Sequence, residues 1–420
     1  MDNLFDEYES NVRSYCRSFP DLFTKAKGAL LYSESNKKYI DFFAGAGALN
    51  YGHNDDYIKS KLIEYIESDG IAHGLDMYTV AKKNFIEMFV DKILKPRGLN
   101  YKIQFCGPTG TNAVEAAIKL ARKVKQRHGI FSFMGGFHGM TQGSLALTGN
   151  LASRAGAGVP LNDVTFMPYP YEFGTTFDTI AYMDYILQDT HSGIEKPAAI
   201  IVETLQCEGG VVVAPTEWLI RLRELCTRHD ILLICDEIQV GCGRTGDFFS
   251  FERADIKPDI VLLSKSISGY GLPMSILLMN PELDIWQPGE HNGTFRGNQL
   301  AFITATAALE LMIDRNLLAE TKTKEAYLKQ FLSAEISSIS SNIKTRGLGM
   351  VWGIDFKECG GAEAVSKIAA QCFEAGLIIE KSGRNDEVLK IMPPLTISMG
   401  LLKEGCSIIA KSIKNALPLD

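Results

Sequence analysis

The stretch ILLICDEIQVGCGRTGDFFSFERADIKPDIVLLSKSISGYGLP, residues 231–273, contains two short apolar runs that each end in chemistry. The first, Ile231 to Cys235, gives way to Asp236. The second, Ile260 to Leu263, passes through Ser264 into Lys265. Continuous rather than alternating apolar residues predict strands buried on both faces, the pattern of a parallel sheet covered by helices. Working outward, the same kind of run recurs in YKIQFC (101–106), IFSFM (130–134), AAIIVE (198–203) and SILLMN (275–280). Helical patterns lie between or beyond them, over 113–128, 216–229 and 301–312. Strands alternating with helices define an α/β architecture with a mostly parallel, doubly covered sheet.

The pattern changes after about residue 300. A helix leads to KTRGLGMVWGIDF (344–356), another helix spans 362–375, and short strands follow at LIIE (377–380) and VLKIM (388–392). These predict a smaller α+β unit, joined by GALLYS (28–33) and KYIDFF (38–43), which are too short to stand alone. The expected division is 1–50 packing with the small domain, 51–300 as the large domain, and 301–420 as the C-terminal small domain.

Composition narrows the function. The 420 residues carry a net charge of −7, which gives no electrostatic reason to expect nucleic acid or an anionic membrane as partner. The acidic start MDNLFDEYES is unlike a secretory leader, and no apolar run approaches the length of a membrane span. Nine cysteines without C-x-x-C spacing indicate neither a disulfide framework nor a zinc site, and no metal is expected. Cys106 and Cys242 read as small packing residues. The cytoplasm is the expected compartment.

In a doubly wound sheet, ligands collect beyond the carboxyl ends of the strands. After the strand at 101–106 comes GPTGTNAVEAAIKLARKV, a glycine and hydroxyl loop opening a helix. Its free N–H groups suit a phosphate, although Thr111 or Asn112 acting as a simple helix cap explains it equally well. Its spacing matches neither the Walker loop nor the dinucleotide fingerprint. After 130–134, GGFHGMTQGS offers Phe137 to stack on a planar ring and His138 beside it. After AAIIV, the segment ETLQCEGG brings Glu203, Gln206 and Glu208 within six residues. Asp236 follows a buried run, where a carboxylate requires a cationic or hydrogen-bonding partner such as a protonated pyridine nitrogen. Glu237 and Arg244 read as a surface ion pair. Lys265, at the rim of a partly desolvated site, gains a nucleophilic amine. Together these parts suit pyridoxal phosphate held by a lysine.

Taken in order, GPTGTNAVEAAIKLAR, GGFHGMT, VETLQCEGG, CDEIQVGCGRTG, LLSKSISGYGLP and HNGTFRGNQLA closely resemble the class III, or ω-, aminotransferases of PLP-dependent fold type I. The resemblance runs from KYIDFFAGAGALNYGHN (38–54) to VLKIMPPLTIS (388–398). It implies a seven-stranded, mostly parallel sheet and pyridoxal 5'-phosphate as cofactor. It implies that Lys265 forms the Schiff base and shuttles the proton, and that Asp236 pairs with the ring nitrogen. Gln239 would bond the phenolic oxygen, Phe137 would stack, and Gly110 and Thr111 would hold the phosphate. His138 and Glu203 complete the cofactor-binding set. Thr294 would reach the phosphate bound by a second copy, making a homodimer with shared sites, with further pairing of dimers left open. Glu208 matches the family's mobile gate glutamate, and Asn50 to His53 would line the site.

Two departures bear on substrate. The family often has an arginine where Met140 stands, and another where Lys390 stands; lysine lacks the planar fork that grips a carboxylate. Lys390 is thus the expected substrate contact, with Arg13, Arg17 and Arg384 as alternatives. With VRSYCRSFPDLFTKAKGALLY and DGIAHGLDMYT, these departures resemble the branch of L-2,4-diaminobutyrate–2-oxoglutarate aminotransferases, which serves ectoine and siderophore synthesis. That branch implies transfer of the amino group of L-glutamate to L-aspartate 4-semialdehyde. Another ω-amine aminotransferase, a mutase or racemase of the same fold, and a non-catalytic cofactor-binding paralogue are the alternatives. The intact Lys265 and Asp236 oppose the last of these.

Overall fold

Short apolar runs pair into four sheets in a computed structural model that describes residues 4–171 and 176–417. Near the N-terminus, Phe23–Lys27 (β1), Leu30–Ser33 (β2) and Lys38–Asp41 (β3) form an antiparallel ribbon. The large sheet takes Lys102–Phe105 (β4), Ile130–Phe133 (β5), Val164–Met167 (β6) and Ala199–Val202 (β7). A small hairpin, Leu205–Gln206 (β8) and Val212–Val213 (β9), follows. Leu232–Asp236 (β10), Ile260–Leu263 (β11) and Ile276–Met279 (β12) then complete the large sheet. Its order is β4-β12-β11-β10-β7-β5-β6, and β12 is antiparallel to both neighbours.

The continuous apolar runs mean what they predict. Every residue of β5, β7, β11 and β12 is buried, with alternate side chains facing opposite ways. Ile234 and Leu262 pack with the helix Gly110–Lys125, whereas Leu233 and Val261 pack with the helix Thr216–Arg228. The strand β6 is the one that the six sequence-predicted strands lack. It sits at the sheet edge, where its residues VTFM are mostly half-buried and the apolar signal is correspondingly short.

Beyond the large sheet, Lys344–Leu348 (β13) and Val351–Asp355 (β14) form a hairpin. Its turn contains Gly349 at φ +59°, where an added Cβ would lie 2.3 Å from the Arg244 carbonyl oxygen. The LIIE run, expected as one strand, divides: Leu377–Ile378 (β15) pairs parallel with β3, while Glu380–Ser382 (β16) pairs antiparallel with Val388–Ile391 (β17). The chain changes sheets at Ile379 because each sheet offers an open edge there. The N-terminal ribbon thereby gains a strand from the C-terminal region. Among the described residues, no helix is long and apolar enough to cross a membrane.

Arg244 overturns its sequence reading. It is fully buried and does not pair with Glu237. Its guanidinium donates to Met350 O at 3.0 Å, to Pro393 O, and to Asn50 Oδ1 at 2.5 Å. Glu237 is buried elsewhere, accepting from Ser250 N at 2.8 Å and Ser250 Oγ at 2.5 Å. Burial without a carboxylate partner lowers the Arg244 pKa to about 10. Three segments distant in sequence meet on this one side chain. Replacing it leaves their acceptors unpaired, and hydrogen bonds to charged groups are worth ~1.5–3 kcal/mol each. Arg244→Ala is expected to lower the unfolding free energy by about 3 kcal/mol or more, read from the urea midpoint. An unchanged midpoint would remove the clamp from the account.

Candidate active site

The carboxyl ends of β4, β5, β7, β10 and β11 open on one cavity of about 150 Å³. Gly110, Thr111, Phe137, His138, Glu203, Glu208, Asp236, Gln239 and Lys265 all line it, with Gly139, Ile238 and Val240. Of the sequence-predicted site residues, Lys390, Thr294 and the segment from Asn50 to His53 lie outside this lining. A larger depression at Arg223 and Asp259 lies at the opposite, amino-terminal edge of β10 and β11, where those two charges pair with each other at 2.7 Å.

Lys265 is held by a strained turn. It follows β11 with φ +49°, a left-handed conformation that costs a non-glycine residue roughly 1–2 kcal/mol. Ser264 Oγ fixes one side by donating to Met274 O at 2.8 Å, and Ser266 Oγ fixes the other through Gly47 O at 2.6 Å. Burial lowers the Lys265 pKa, with Glu208 opposing, so the neutral amine is more accessible than that of a surface lysine.

Asp236 ends β10 and is 4% exposed. One oxygen accepts from Ile238 N at 3.1 Å, and the other lies 2.7 Å from His138 Nδ1. Burial pulls the His138 pKa down, but the bond to Asp236 and its charge outweigh this and raise it. His138 is in turn fixed by its backbone N–H, which donates to Thr148 Oγ1 at 3.0 Å. Beside it, Glu203 accepts from Phe137 N at 2.8 Å and positions the backbone that carries the aromatic ring. Burial raises the Glu203 pKa to about 7.

The side of the cavity formed by Gly110 and Thr111 is a hydroxyl cluster at a helix start. The helix begins at Gly110, three residues before the predicted Ala113, and its N-cap is Thr109 with no side-chain cap bond. Neither Thr111 nor Asn112 is therefore the cap; Asn112 Oδ1 accepts from Gly107 N at 2.8 Å instead. Thr111 Oγ1 meets Thr141 Oγ1 at 2.6 Å and also Ser144 Oγ, while Glu115 accepts from Thr141 Oγ1 at 2.6 Å. A Cβ on Gly110 would press on Ile238 at 2.9 Å, so glycine lets the helix start close to the cavity floor.

Glu208 sits in the turn of the β8–β9 hairpin, whose Gly209 approaches so near the Gly135 carbonyl that a Cβ would lie 2.7 Å from it. Lys390 is completely buried behind Glu208, 2.8 Å from its Oε1, and 2.9 Å from Glu380 Oε2. Burial disfavours the Lys390 ammonium, but the two carboxylates outweigh it and raise its pKa. Burial likewise raises Glu208, yet Lys390 and Lys265 outweigh it and hold it below the usual carboxylate range. Glu380 is a participant that the sequence reading missed, since its place opposite Lys390 exists only in the strand register.

Other expectations separate here. Gln239 lines the cavity and anchors itself by donating to Ala46 O at 2.8 Å. Asn50 is buried on Arg244 and Cys242 O, and His53 pairs with Asp41 at 2.8 Å, so neither lines the cavity. Arg13 pairs with Asp6 and Glu9, and Arg17 donates to Arg13 O and Asn11 O. Met140 and Thr294 are exposed. Cys106 and Cys242 are buried, as packing residues should be.

An aromatic face, an oriented buried carboxylate, a helix start lined with hydroxyls and a desolvated lysine are the donors that pyridoxal 5'-phosphate needs, and they converge on one cavity. The fold and site define a PLP-dependent enzyme of fold type I. The chain belongs to the class-III aminotransferases, whose family model matches residues 14–413. It is 54% identical over 416 residues to a diaminobutyrate–2-oxoglutarate transaminase of Bordetella parapertussis, covering 99% of this chain and 95% of that protein. A protein of the same name from Halalkalibacterium halodurans is 54% identical over 415 residues, with 98% and 96% covered. Among solved structures, the ornithine aminotransferase of Toxoplasma gondii superposes with a TM-score of 0.85 at 25% identity, covering 98% of this chain and 93% of that one.

The Glu203 pKa carries a sign that can be measured. A carboxyl whose folded pKa is raised contributes stability that is complete below its unfolded pKa near 4.5 and is lost as pH rises through about 7. Glu203→Gln removes the ionisation. The variant is expected to gain on the wild type between about pH 5 and about pH 8, by up to ~3 kcal/mol in urea unfolding. A difference that stays constant with pH would show that Glu203 is already ionised when buried.

Proposed function

We propose that the chain moves the amino group of L-glutamate to L-aspartate 4-semialdehyde, giving L-2,4-diaminobutyrate and 2-oxoglutarate. The observation that carries amine transfer is the convergence of Lys265, Asp236 and Phe137 on one cavity. The choice of amine rests on the near full-length identity to proteins named for that reaction.

In this reading Phe137 stacks on the cofactor ring, and the start of the helix Gly110–Lys125 with Thr111 holds the phosphate. Asp236, oriented by His138 and Ile238 N, would hold a proton on the ring nitrogen. Gln239 faces the phenolic oxygen. The bound cofactor supplies an electron sink for the carbon that loses its proton. The Lys265 amine removes that proton and returns it, since burial has lowered its pKa toward the working range of a base. Glu208 covers Lys390 until a substrate carboxylate displaces it. Thr294, exposed in one copy, completes the phosphate site of a second copy, making a homodimer with shared sites. The division at 1–50, 51–300 and 301–420 places the cofactor in the middle segment, and the pairing of β15 with β3 supports grouping the two ends. We place the enzyme in the cytoplasm and in ectoine-type synthesis.

Two measurements test the reading. L-2,4-diaminobutyrate added without a keto acid is expected to bleach the visible band of the bound cofactor, and glutamate should form once 2-oxoglutarate is supplied. A band that stays put would leave the fold and cofactor standing and withdraw the substrate. Lys265→Ala should retain the cofactor yet lose turnover by more than about a thousandfold, and Asp236→Asn should fall by several orders of magnitude. Wild-type turnover in the lysine variant would sink the mechanism.

A further inference from the structure

Lys390 brings one positive charge to two carboxylates, and the two are mounted differently. Glu380 is directly opposite Lys390 in the β16–β17 register, so the sheet itself fixes it. The position across β17 on the other side is Gly353 of β14, which adds no side chain. Glu208 lies on a hairpin turn and is the more accessible acid, its side chain 33% exposed against 13% for Glu380. Lys390 has no accessible surface at all while Glu208 covers it. When all three groups are ionised, the cluster carries a surplus negative charge. Lys265 is the next cation within electrostatic reach, and the proposed reaction commits its amine to the cofactor. Glu203, whose pKa burial raises to about 7, also lies within electrostatic reach of Glu208, and burial pushes Tyr15 and Cys207 further toward their neutral forms.

We propose that Glu380 is a specificity-determining residue whose carboxylate leaves the subsite behind Glu208 with excess negative charge, favouring a substrate arm that carries an ammonium over one that ends in a carboxylate. This deepens the reading above and rests on it. When the γ-amine of diaminobutyrate reacts, the arm that faces this subsite bears an ammonium beside its carboxylate. A dicarboxylate brings only negative charge, and it must share Lys390 with Glu380 even after Glu208 has moved. An arginine in place of Lys390 would offer a second edge of donors for that carboxylate, whereas a lysine is a single point charge already divided between two acids. Glu380 acts through the charge of the cluster and through Lys390, without lining the cavity.

Burial raises the Glu380 pKa against the opposing charge of Lys390, so the test compares cofactor-loaded Glu380→Gln with the wild type over a rising pH series, which favours the ionised acid. Binding of glutarate, an unreactive dicarboxylate, is measured by calorimetry, together with KM for L-glutamate and for L-2,4-diaminobutyrate. Glutarate is expected to bind about tenfold tighter to the variant, KM for glutamate to fall, and KM for diaminobutyrate to rise three- to tenfold, on the order expected for one charge at this range. Glu380→Asp should restore the wild-type ratio. Shifts of both KM values in one direction, or an unaltered glutarate affinity, would overturn the proposal. Should the glutamine variant not fold, the wild type still decides: 1,4-diaminobutane should compete more strongly than glutarate, and the reverse order would overturn it. Failure of wild-type enzyme to react with diaminobutyrate would sink the substrate reading instead, while the glutarate comparison still reports on Glu380.

Discussion

A single buried guanidinium holds the frame in which the cavity exists. Arg244 reaches Asn50 from the N-terminal segment, Met350 from the β13–β14 hairpin, and Pro393 just after β17. The hairpin returns a bond, Met350 N donating to the Arg244 carbonyl at 2.9 Å. Asn50 extends the link: its amide donates to Cys242 O at 3.0 Å, and its backbone N–H donates to Ser266 Oγ at 3.2 Å, one residue from Lys265. A buried cation is costly unless it is hydrogen-bonded, and with its Nε unpartnered Arg244 depends on keeping all three of these acceptors in place. That condition couples the placement of Lys390, three residues before Pro393, to the turn that presents Lys265.

Within the cavity, one physical effect is steered toward four outcomes. Burial penalises the charged form of every group, yet the partners decide which groups keep their charge. Lys265, opposed mainly by the more distant Glu208, loses part of its preference for the ammonium. Lys390, pressed between two acids, keeps its charge. Glu203 rises to about 7 because its bond from Phe137 N does not balance burial. Asp236 has a histidine on one oxygen and a backbone N–H on the other, so its orientation is set before any ligand arrives. A raised carboxyl, a desolvated amine and a lysine held charged by its acids thus stand side by side.

The parts of this arrangement that sequence reveals are those that follow from short-range pattern. Unbroken apolar runs give the central strands, and the residue that ends each run is placed at the cavity because a parallel sheet aligns its carboxyl ends. β6 escapes because an edge strand is only half-buried and leaves a weak signal. Arg244 and Glu237 escape for another reason. Charge in a sequence suggests surface, and nothing in composition shows that an arginine's partners will be backbone carbonyls from two remote segments. Glu380 is hidden by register: a shift of one residue in β16 would turn its side chain to the opposite face and away from Lys390.

The strained lysine turn shows why the frame has to be rigid. With φ at +49°, Lys265 would relax to an ordinary conformation if the loop were free, and its side chain would no longer be fixed in the cavity it shares with Asp236 and Glu208. Ser264 and Ser266 hold the backbone on either side, and Gly269 at φ +75° lets the turn close against the helix Gln299–Asp314. A Cβ at Gly269 would lie 2.3 Å from the Ala308 methyl group, so the turn and the helix are packed as closely as backbone permits. The helix therefore acts as a backstop for the lysine, while Ser266 ties the same turn to Gly47 and Asn50 on the opposite side. Strain of this size is retained because relaxing it would break contacts with both walls at once.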